Sequence, residues 1–154
     1  MIAVIQRVAE ASVSVDEKIV GECKSGLCVL LGVAKEDSEL DAELLAAKIA
    51  NLRIFADPEG KMNLSLKDID GEILIISNFT LLAAYRKGNR PDYMNAAAPT
   101  EAESLYKYFG ELCEKEIKHV GYGIFGADMK VNILNDGPVT IVMDSNVLKA
   151  PKTK

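Results

Sequence analysis

The polar residues of this chain that suit chemistry stand together where an apolar segment ends. Ile73–Ile76 is continuously apolar, as expected of a buried strand, and Ser77-Asn78-Phe79-Thr80 follows it. A strand end of this kind offers hydroxyl and amide groups to whatever lies beside it. A threonine hydroxyl is a candidate nucleophile, although a weak one unless a base activates it. The alternative interpretation is a strand that emerges into solvent.

A second unusual segment is Asn135-Asp136-Gly137-Pro138-Val139-Thr140. Its composition is typical of a turn, and the alternative to a functional role is a hairpin corner. X–Pro bonds are the peptide bonds that adopt the cis form at an appreciable frequency, about one in twenty in folded proteins. The sequence therefore leaves the local backbone geometry open.

The side chains that usually mark hydrolases and metalloenzymes are sparse. His119, the only histidine, follows an amphipathic helix, where an imidazole commonly meets the last carbonyl groups. Cys23 and Cys28 have no second Cys or His pair, which argues against a zinc site. No glycine-rich phosphate-binding motif occurs, and no pair of acidic residues is singled out for acid–base hydrolysis. We therefore expect neither a metal ion nor a cofactor.

The two polar segments, about sixty residues apart, resemble the motifs Ser-Gln-Phe-Thr and Asn-x-Gly-Pro-x-Thr of the D-aminoacyl-tRNA deacylase family. Met1–Val8, Gly88–Pro91 and Phe125–Met129 also resemble segments of this family, so the likeness covers essentially the whole chain. Asn78 stands where the family usually has Gln. Because its side chain is one methylene shorter, a hydrogen bond from Asn78 to the substrate would have to be re-aimed.

This resemblance implies an enzyme that hydrolyses the ester joining tRNA to a D-amino acid, or to glycine mischarged on tRNA-Ala. It also implies one domain over residues 1–154 and a homodimer with the active site at the interface. The Gly137–Pro138 bond would be cis. Its carbonyl oxygens would reach into the partner's pocket, accept from the substrate α-ammonium and leave no volume for an L side chain. Arg7 would hold this corner rigid, since a guanidinium is suited to bonding carbonyl groups.

The resemblance leaves two chemistries open. In one, Thr80 is a nucleophile. In the other, Ser77, Phe79 and Thr80 supply backbone N–H and hydroxyl groups to the developing oxyanion, and water attacks with help from the terminal ribose 2′-OH. We favour the second, because an aminoacyl ester is already activated and no base is evident beside Thr80.

Two further segments are expected to contact the end of the tRNA. Arg86 and Arg90, in the irregular stretch Ala83–Pro99, are expected to meet phosphate groups near the acceptor end, with ordinary surface solvation as the alternative. Phe125 and Met129 are expected to line the pocket for the terminal adenosine.

Two other functions compete with this interpretation. A related proofreading enzyme removes L-alanine from the wrong tRNA and resembles this family, but with a trans Gly-Pro bond. Phe79 favours the D-specific branch, because that relative tends to have Met there. The other function is a non-catalytic β-sheet module that binds RNA ends or a protein partner. Such a module would need no polar cluster at Ser77–Thr80 and would tolerate Pro138→Ala.

Apolar patterning predicts the elements that must position these segments. Strands are expected over residues 2–8, 11–16, 18–21, 27–33, 53–55, 72–79, 129–134 and 139–143. A helix capped by Asp37 or Ser38 is expected to bury Leu40, Leu44, Ala47 and Ala50. A capping box from Thr100 to Glu103 is expected to open a second helix, with an apolar face of Leu105, Tyr108, Phe109 and Leu112. These elements predict an α+β fold, with a mainly antiparallel sheet or barrel-like core and two principal helices.

Charge and cysteine content limit the partners and the compartment. The net charge of −5 argues against a protein that coats nucleic acid, but not against an enzyme that grips only the end of an RNA. The basic residues form two clusters: Arg86, Lys87 and Arg90, and Lys149, Lys152 and Lys154. Three cysteines cannot all pair within one chain, and no apolar run is long enough to cross a membrane. Because the strand-like Met1–Val8 carries Arg7, we expect no signal peptide, a reduced cytoplasmic compartment and no membrane partner.

Overall fold

The computed structural model, which describes residues 1–150, contains a six-stranded mixed sheet and a separate two-stranded one. Its strands are β1 (Ile2–Val15), β2 (Lys18–Cys23), β3 (Gly26–Gly32), β4 (Phe55–Ala56), β5 (Met62–Leu64), β6 (Glu72–Ser77), β7 (Val120–Tyr122) and β8 (Lys130–Asp144). Its helices are α1 (Glu39–Ala50), α2 (Pro99–Glu114) and α3 (Ser145–Lys149), with a short 3₁₀ helix at Phe79–Leu82. The predicted α+β class with a barrel-like sheet is confirmed. Lys152 and Lys154, from the predicted C-terminal basic cluster, lie outside the described residues.

Strand β1 is the centre of the main sheet. Its residues 2–8 pair with β3 and its residues 11–15 with β2, both antiparallel. Strand β8 runs antiparallel along the opposite edge of β1, from residue 2 to residue 14 of β1. Beyond β3 follow β6 and β7 as parallel neighbours, and α1 and α2 lie in the crossovers that lead to them. Strand β8 therefore belongs to the antiparallel part of the sheet, and helices α1 and α2 connect the strands of the parallel part.

The sheet closes nearly into a barrel where β7 meets β2. A Cβ atom on Gly21 would lie 2.2 Å from the carbonyl oxygen of Tyr122, and one on Gly121 would lie 2.5 Å from that of Glu22. Only glycine allows the two strands to approach so closely. His119, which precedes β7, places its Nε2 3.1 Å from the carbonyl oxygen of Glu22. The single histidine thus helps to hold the seam between β7 and β2.

Apolar clusters cover both faces of the sheet. One cluster, around Phe109 and Leu45, lies between the sheet and helices α1 and α2, and the other, around Val13 and Leu74, lies on the opposite face. Strands β3 and β6 contribute to both clusters, which explains why their sequences are continuously apolar. All three cysteines are buried free thiols. Burial raises the pKa of the Cys28 thiol to about 12, so this thiol is protonated at neutral pH.

Two strands run further than the sequence predicts. Strand β1 is continuous through residues 9 and 10, because irregularities in its ladder with β8 absorb the change of register. Strand β8 is continuous as well, so the predicted division into strands 129–134 and 139–143 is wrong. Gln6 lies opposite Thr140 and Val8 opposite Asn135, so both halves of β8 pair with β1 in one direction. Residues 136–139, called the corner below, therefore project from a single strand.

Both principal helices are confirmed, but the buried face of α1 differs from the prediction. Of the predicted residues, Ala50 is buried and Leu44 half-buried, whereas Leu40 is 51% exposed and Ala47 is exposed. The other buried apolar residues of α1 are Ala42, Leu45, Ala46 and Ile49. Alanine and leucine occur all around this helix, so their spacing does not single out one face. No helix among residues 1–150 is long and apolar enough to cross a membrane.

Helix α2 begins one residue before the predicted capping box. Pro99 occupies the first turn, and Ala98 is the N-cap, so Thr100 lies inside the helix and makes no capping hydrogen bond. Proline suits the first helical position because it has no N–H to leave unpaired. The face of α2 is shifted as well: Tyr106, Phe109 and Cys113 are buried, and the predicted Leu105, Tyr108 and Leu112 flank them half-buried.

One buried carboxylate joins α1 to α3 at the end of β8. Asp41 is fully buried, and its oxygens accept from Ser145 Oγ at 2.6 Å and from the Ser38 backbone N–H at 2.9 Å, while Lys149 Nζ lies at 2.8 Å. Burial alone would raise the pKa of Asp41, but the hydrogen bonds from Lys149, Ser145 and Ser38 together outweigh burial and hold this pKa below its usual range. Lys149 is therefore engaged within the fold, in an ion pair with Asp41.

Candidate active site

A cavity of about 770 Å³ opens at the ends of β3 and β6, beside the start of α2 and the segment that leads into β8. Six of the residues singled out in the sequence line this cavity: Ser77, Asn78, Phe79, Thr80, Phe125 and Met129. Because β3 and β6 are parallel, their carboxyl ends lie side by side, and such ends are a common place for ligands in parallel sheets. The predicted polar cluster and the predicted adenosine segment therefore share one site.

The chain turns sharply where β6 ends, and this turn forms the polar wall of the cavity. The Asn78 N–H donates to the carbonyl oxygen of Leu31 at 2.8 Å, and the 3₁₀ helix then begins at Phe79. Asn78 is its N-cap: its Oδ1 accepts from the Thr80 N–H at 3.2 Å. The Thr80 hydroxyl donates to the same oxygen. The turn leaves Phe79 and Thr80 exposed at the mouth of the cavity.

The remainder of the cavity wall is mostly apolar. Met129 packs against Gly123, where a Cβ atom would lie 2.6 Å from the Met129 sulfur. Phe125 lies with its ring centre 6.0 Å from that of Tyr106, a wall residue not foreseen from the sequence. The Tyr106 hydroxyl donates to the carbonyl oxygen of Ile75 at 2.9 Å, and burial raises the pKa of Tyr106 to about 12. Tyr106 is thus a neutral structural group. Its burial within helix α2 is the feature that identifies it as part of the wall.

Ionisable groups are almost absent from the cavity wall among the described residues. Within the described part of the chain, Asp128 is the only carboxylate that lines it. Asp128 is 90% exposed at the rim, where it pairs with Lys130 at 2.9 Å. His119 lines a different cavity, beside Glu22 and Glu72. Within residues 1–150, no group of three or more His, Cys, Asp or Glu side chains is arranged to hold a metal ion. Hydrogen bonding is therefore the main means by which this wall can act on a substrate.

The corner of this chain does not contribute to the wall of the cavity. The Gly137–Pro138 peptide bond is cis, both residues are exposed, and neither lines the cavity. Arg7 ties the corner to the rest of the fold: its Nε donates to the carbonyl oxygen of Asp136 at 3.2 Å, and its Nη1 to that of Ile54 at 2.7 Å. Gly137 has φ +125°, and a Cβ atom there would lie 3.0 Å from Arg7 Nη2. The positive φ favours glycine at this position, and a side chain there would also crowd Arg7.

A side chain at the base of the corner also supports it. Asn135 Nδ2 donates to the carbonyl oxygens of Arg7 at 3.0 Å and of Val139 at 3.1 Å. These two bonds span the gap where the ladder between β1 and β8 is interrupted. The motif residue Asn135 therefore closes the base of the corner, a role that its half-buried position allows.

The basic cluster lies on an exposed loop next to the cavity. Its base is held by two backbone hydrogen bonds between Ala84 and Asp92, at 2.7 and 2.9 Å. Arg86 and Arg90 are exposed and do not line the cavity. The loop still touches the site, because Tyr93 packs edge-on against Phe79 with their ring centres 4.9 Å apart.

Comparison with known proteins places this chain among enzymes that act on charged tRNA. The family model described as D-Tyr-tRNA(Tyr) deacylase matches residues 4–144. The D-aminoacyl-tRNA deacylase of Caldicellulosiruptor saccharolyticus is 58% identical over 145 residues, which cover 94% of this chain and 97% of the relative. That of Sulfurihydrogenibium sp. is 57% identical over 148 residues, covering 96% of this chain and 100% of the relative.

Two solved structures share the fold. The c-Myc DNA Unwinding Element Binding Protein is 43% identical with a TM-score of 0.89, covering 94% of this chain and 98% of that protein. A probable eukaryotic D-amino acid tRNA deacylase has a TM-score of 0.80 over 92% of this chain and 97% of that one, and at 16% identity it supports the fold alone. On the family model and the curated relatives, the chain belongs to the D-Tyr-tRNA(Tyr) deacylase family and is a hydrolase that acts on the ester bond of D-aminoacyl-tRNA.

Proposed function

We propose that the cavity receives the 3′-terminal adenosine of a D-aminoacyl-tRNA with its amino acid, and that the corner of a second copy completes the site. The observation that carries this proposal is the separation of the two motifs. Ser77–Thr80 line the cavity, whereas Gly137 and Pro138 are exposed and do not line it. The cavity volume, about 770 Å³, is in the range of small-molecule sites. Its apolar wall at Phe125 and Met129 suits the face of an adenine ring.

The second copy is proposed to bind along β8. Within residues 1–150 this 15-residue strand pairs with β1 alone, so its outer edge presents unpaired backbone groups. Leu134 and Val142 on β8 are 57% and 68% exposed. Long exposed edges invite pairing, and two-fold symmetry brings the same surface of each copy together. Light scattering should then give twice the chain mass of 16.7 kDa, and a monomer at micromolar concentration would contradict the arrangement.

The corner is proposed to select the D configuration. Arg7 holds the corner in place by donating a hydrogen bond to the carbonyl oxygen of Asp136. Held in this way, the carbonyl groups of Gly137 and Pro138 accept from the α-ammonium of the substrate, and the corner occupies the volume that an L side chain would need. Glycine has no side chain to exclude, so glycyl-tRNA is a substrate for the same reason.

Hydrolysis is proposed to proceed by direct attack of water. The Ser77 hydroxyl and the Phe79 N–H have no hydrogen-bond acceptor among residues 1–150, so both can donate to the developing oxyanion. A bond forms between the water oxygen and the ester carbon, and the bond from that carbon to the ribose 3′-oxygen breaks. The proton that water loses reaches the 3′-oxygen through the neighbouring 2′-OH. A covalent aminoacyl-enzyme detected by mass spectrometry would contradict this route.

Arg86 and Arg90 are proposed to contact phosphate groups next to the terminal adenosine. Replacing both by Gln should raise KM for D-aminoacyl-tRNA severalfold and weaken its dependence on salt, with kcat unchanged, because phosphate contacts contribute affinity through counterion release. Lys118→Gln is a matched control, since Lys118 is 81% exposed and pairs with Asp70. Equal KM values for the double variant and the control would show that Arg86 and Arg90 do not contribute to tRNA binding.

The chiral proposal is tested with one tRNA that carries D-alanine, glycine or L-alanine. The unmodified protein should hydrolyse the D-alanyl and glycyl esters. It should hydrolyse the L-alanyl ester at least about a hundredfold more slowly, which corresponds to roughly 3 kcal/mol of discrimination. Spontaneous hydrolysis without protein is the baseline. Equal rates for both alanyl esters would refute selection by the corner, preference for L-alanine would indicate the L-alanyl proofreading activity, and no hydrolysis would indicate a binding module.

A further inference from the structure

The Asn78 side chain faces Thr80, and the backbone decides which end of the amide does so. The Thr80 N–H lies 3.2 Å from the nearest amide atom of Asn78. A backbone N–H can only donate, so this atom must be the carbonyl oxygen Oδ1 and not the NH₂ group. The Thr80 hydroxyl contacts the same atom and must therefore donate to it as well. Both hydrogens that Thr80 can offer are thus directed at Asn78.

This arrangement limits what the Thr80 hydroxyl can do in catalysis. Its hydrogen is taken by Asn78, so only the lone pairs of Oγ1 remain to face the exposed mouth of the cavity. An amide oxygen is not a base that can remove the hydroxyl proton, and a threonine hydroxyl without a base is a poor nucleophile. Oγ1 also has no second hydrogen to offer an oxyanion. What remains is a hydrogen-bond acceptor.

We propose that Asn78 is a positioning residue that fixes the Thr80 hydroxyl as an acceptor, and that Oγ1 orients the attacking water by accepting one of its hydrogens. This inference rests on the proposed hydrolysis by water in the same cavity. It divides the polar wall into two functions. The Ser77 hydroxyl and the Phe79 N–H donate to the oxyanion, while Thr80 accepts from the water that attacks the ester carbon. Asn78 acts only through Thr80.

A purely structural function for Asn78 is the alternative. Asn is a favoured N-cap, and its oxygen would stabilise the 3₁₀ helix even if Thr80 had no catalytic function. The two accounts differ in one respect. A structural cap is needed whatever side chain stands at position 80, whereas positioning of a hydroxyl is needed only if that hydroxyl is present.

The test is a pair of double-mutant cycles, with Asn78→Ala made in the Thr80→Ser and Thr80→Val backgrounds. Serine keeps the hydroxyl and valine replaces it by a methyl group of similar size. Asn78→Ala should lower kcat roughly tenfold or more in the unmodified and Thr80→Ser proteins, with KM nearly unchanged, because the oriented water is lost. In the Thr80→Val protein it should cause no further loss, because the hydroxyl it positions is absent.

Equal losses in the serine and valine backgrounds would overturn the proposal and leave Asn78 as a cap. A rise in KM without a fall in kcat would overturn it too, since that result indicates ground-state binding. All rates are measured below the melting temperature of the least stable variant, so that unfolding does not imitate the effect. The cycles use hydrolysis of D-aminoacyl-tRNA alone. Failure to discriminate against L-aminoacyl-tRNA would refute the corner mechanism and leave the coupling between Asn78 and Thr80 measurable.

Discussion

The antiparallel ladder between β1 and β8 is the constraint on which the rest of the structure depends. It runs along almost the whole of β1, and its single wide interruption forms the corner. Arg7 comes from the strand directly beneath this interruption, so the same pairing that releases the corner also supplies the side chain that holds it. The ladder leaves β8 with one unpaired edge within residues 1–150. Corner and edge together make the chain suited to act as half of a two-chain site.

The cavity relies on hydrogen bonds and holds few charges. Among residues 1–150 its single carboxylate, Asp128, lies at the rim, and its tyrosine, Tyr106, is held neutral by burial. Such a wall suits an ester that is already reactive, because orientation of water and stabilisation of an oxyanion lower the barrier without acid–base side chains. The proposed selection of one configuration at the corner likewise uses backbone groups and no charged side chain. In the proposed mechanism, neither His119 nor a cysteine takes part.

Sequence patterns predict the strands around the site well, because β3 and β6 are continuously apolar and bounded by polar residues. They do not predict the parallel crossovers or the three-residue strand β7, since a strand that short carries no periodicity. The face of α1 is lost for a different reason: its buried side includes Asp41, a charge whose burial also depends on Ser145 and Lys149 of helix α3. The members of the cavity wall from Ser77 to Thr80 are indicated by composition, but the bond from Thr80 to Asn78 depends on backbone geometry. The expectation that Ser77–Thr80 and the corner form one site comes from the family resemblance and not from their spacing in the sequence.

Complementation between two catalytically impaired chains tests the two-chain site most directly. Arg7→Ala chains and Thr80→Val chains are co-expressed with different tags, and the mixed dimers are isolated. If each site combines the cavity of one chain with the corner of the other, a mixed dimer contains one intact site, and D-aminoacyl-tRNA hydrolysis should recover to about half of the unmodified rate. If each site lies within one chain, every site in the mixed dimer carries one defect. Activity no higher than that of the two parent variants would then contradict the account.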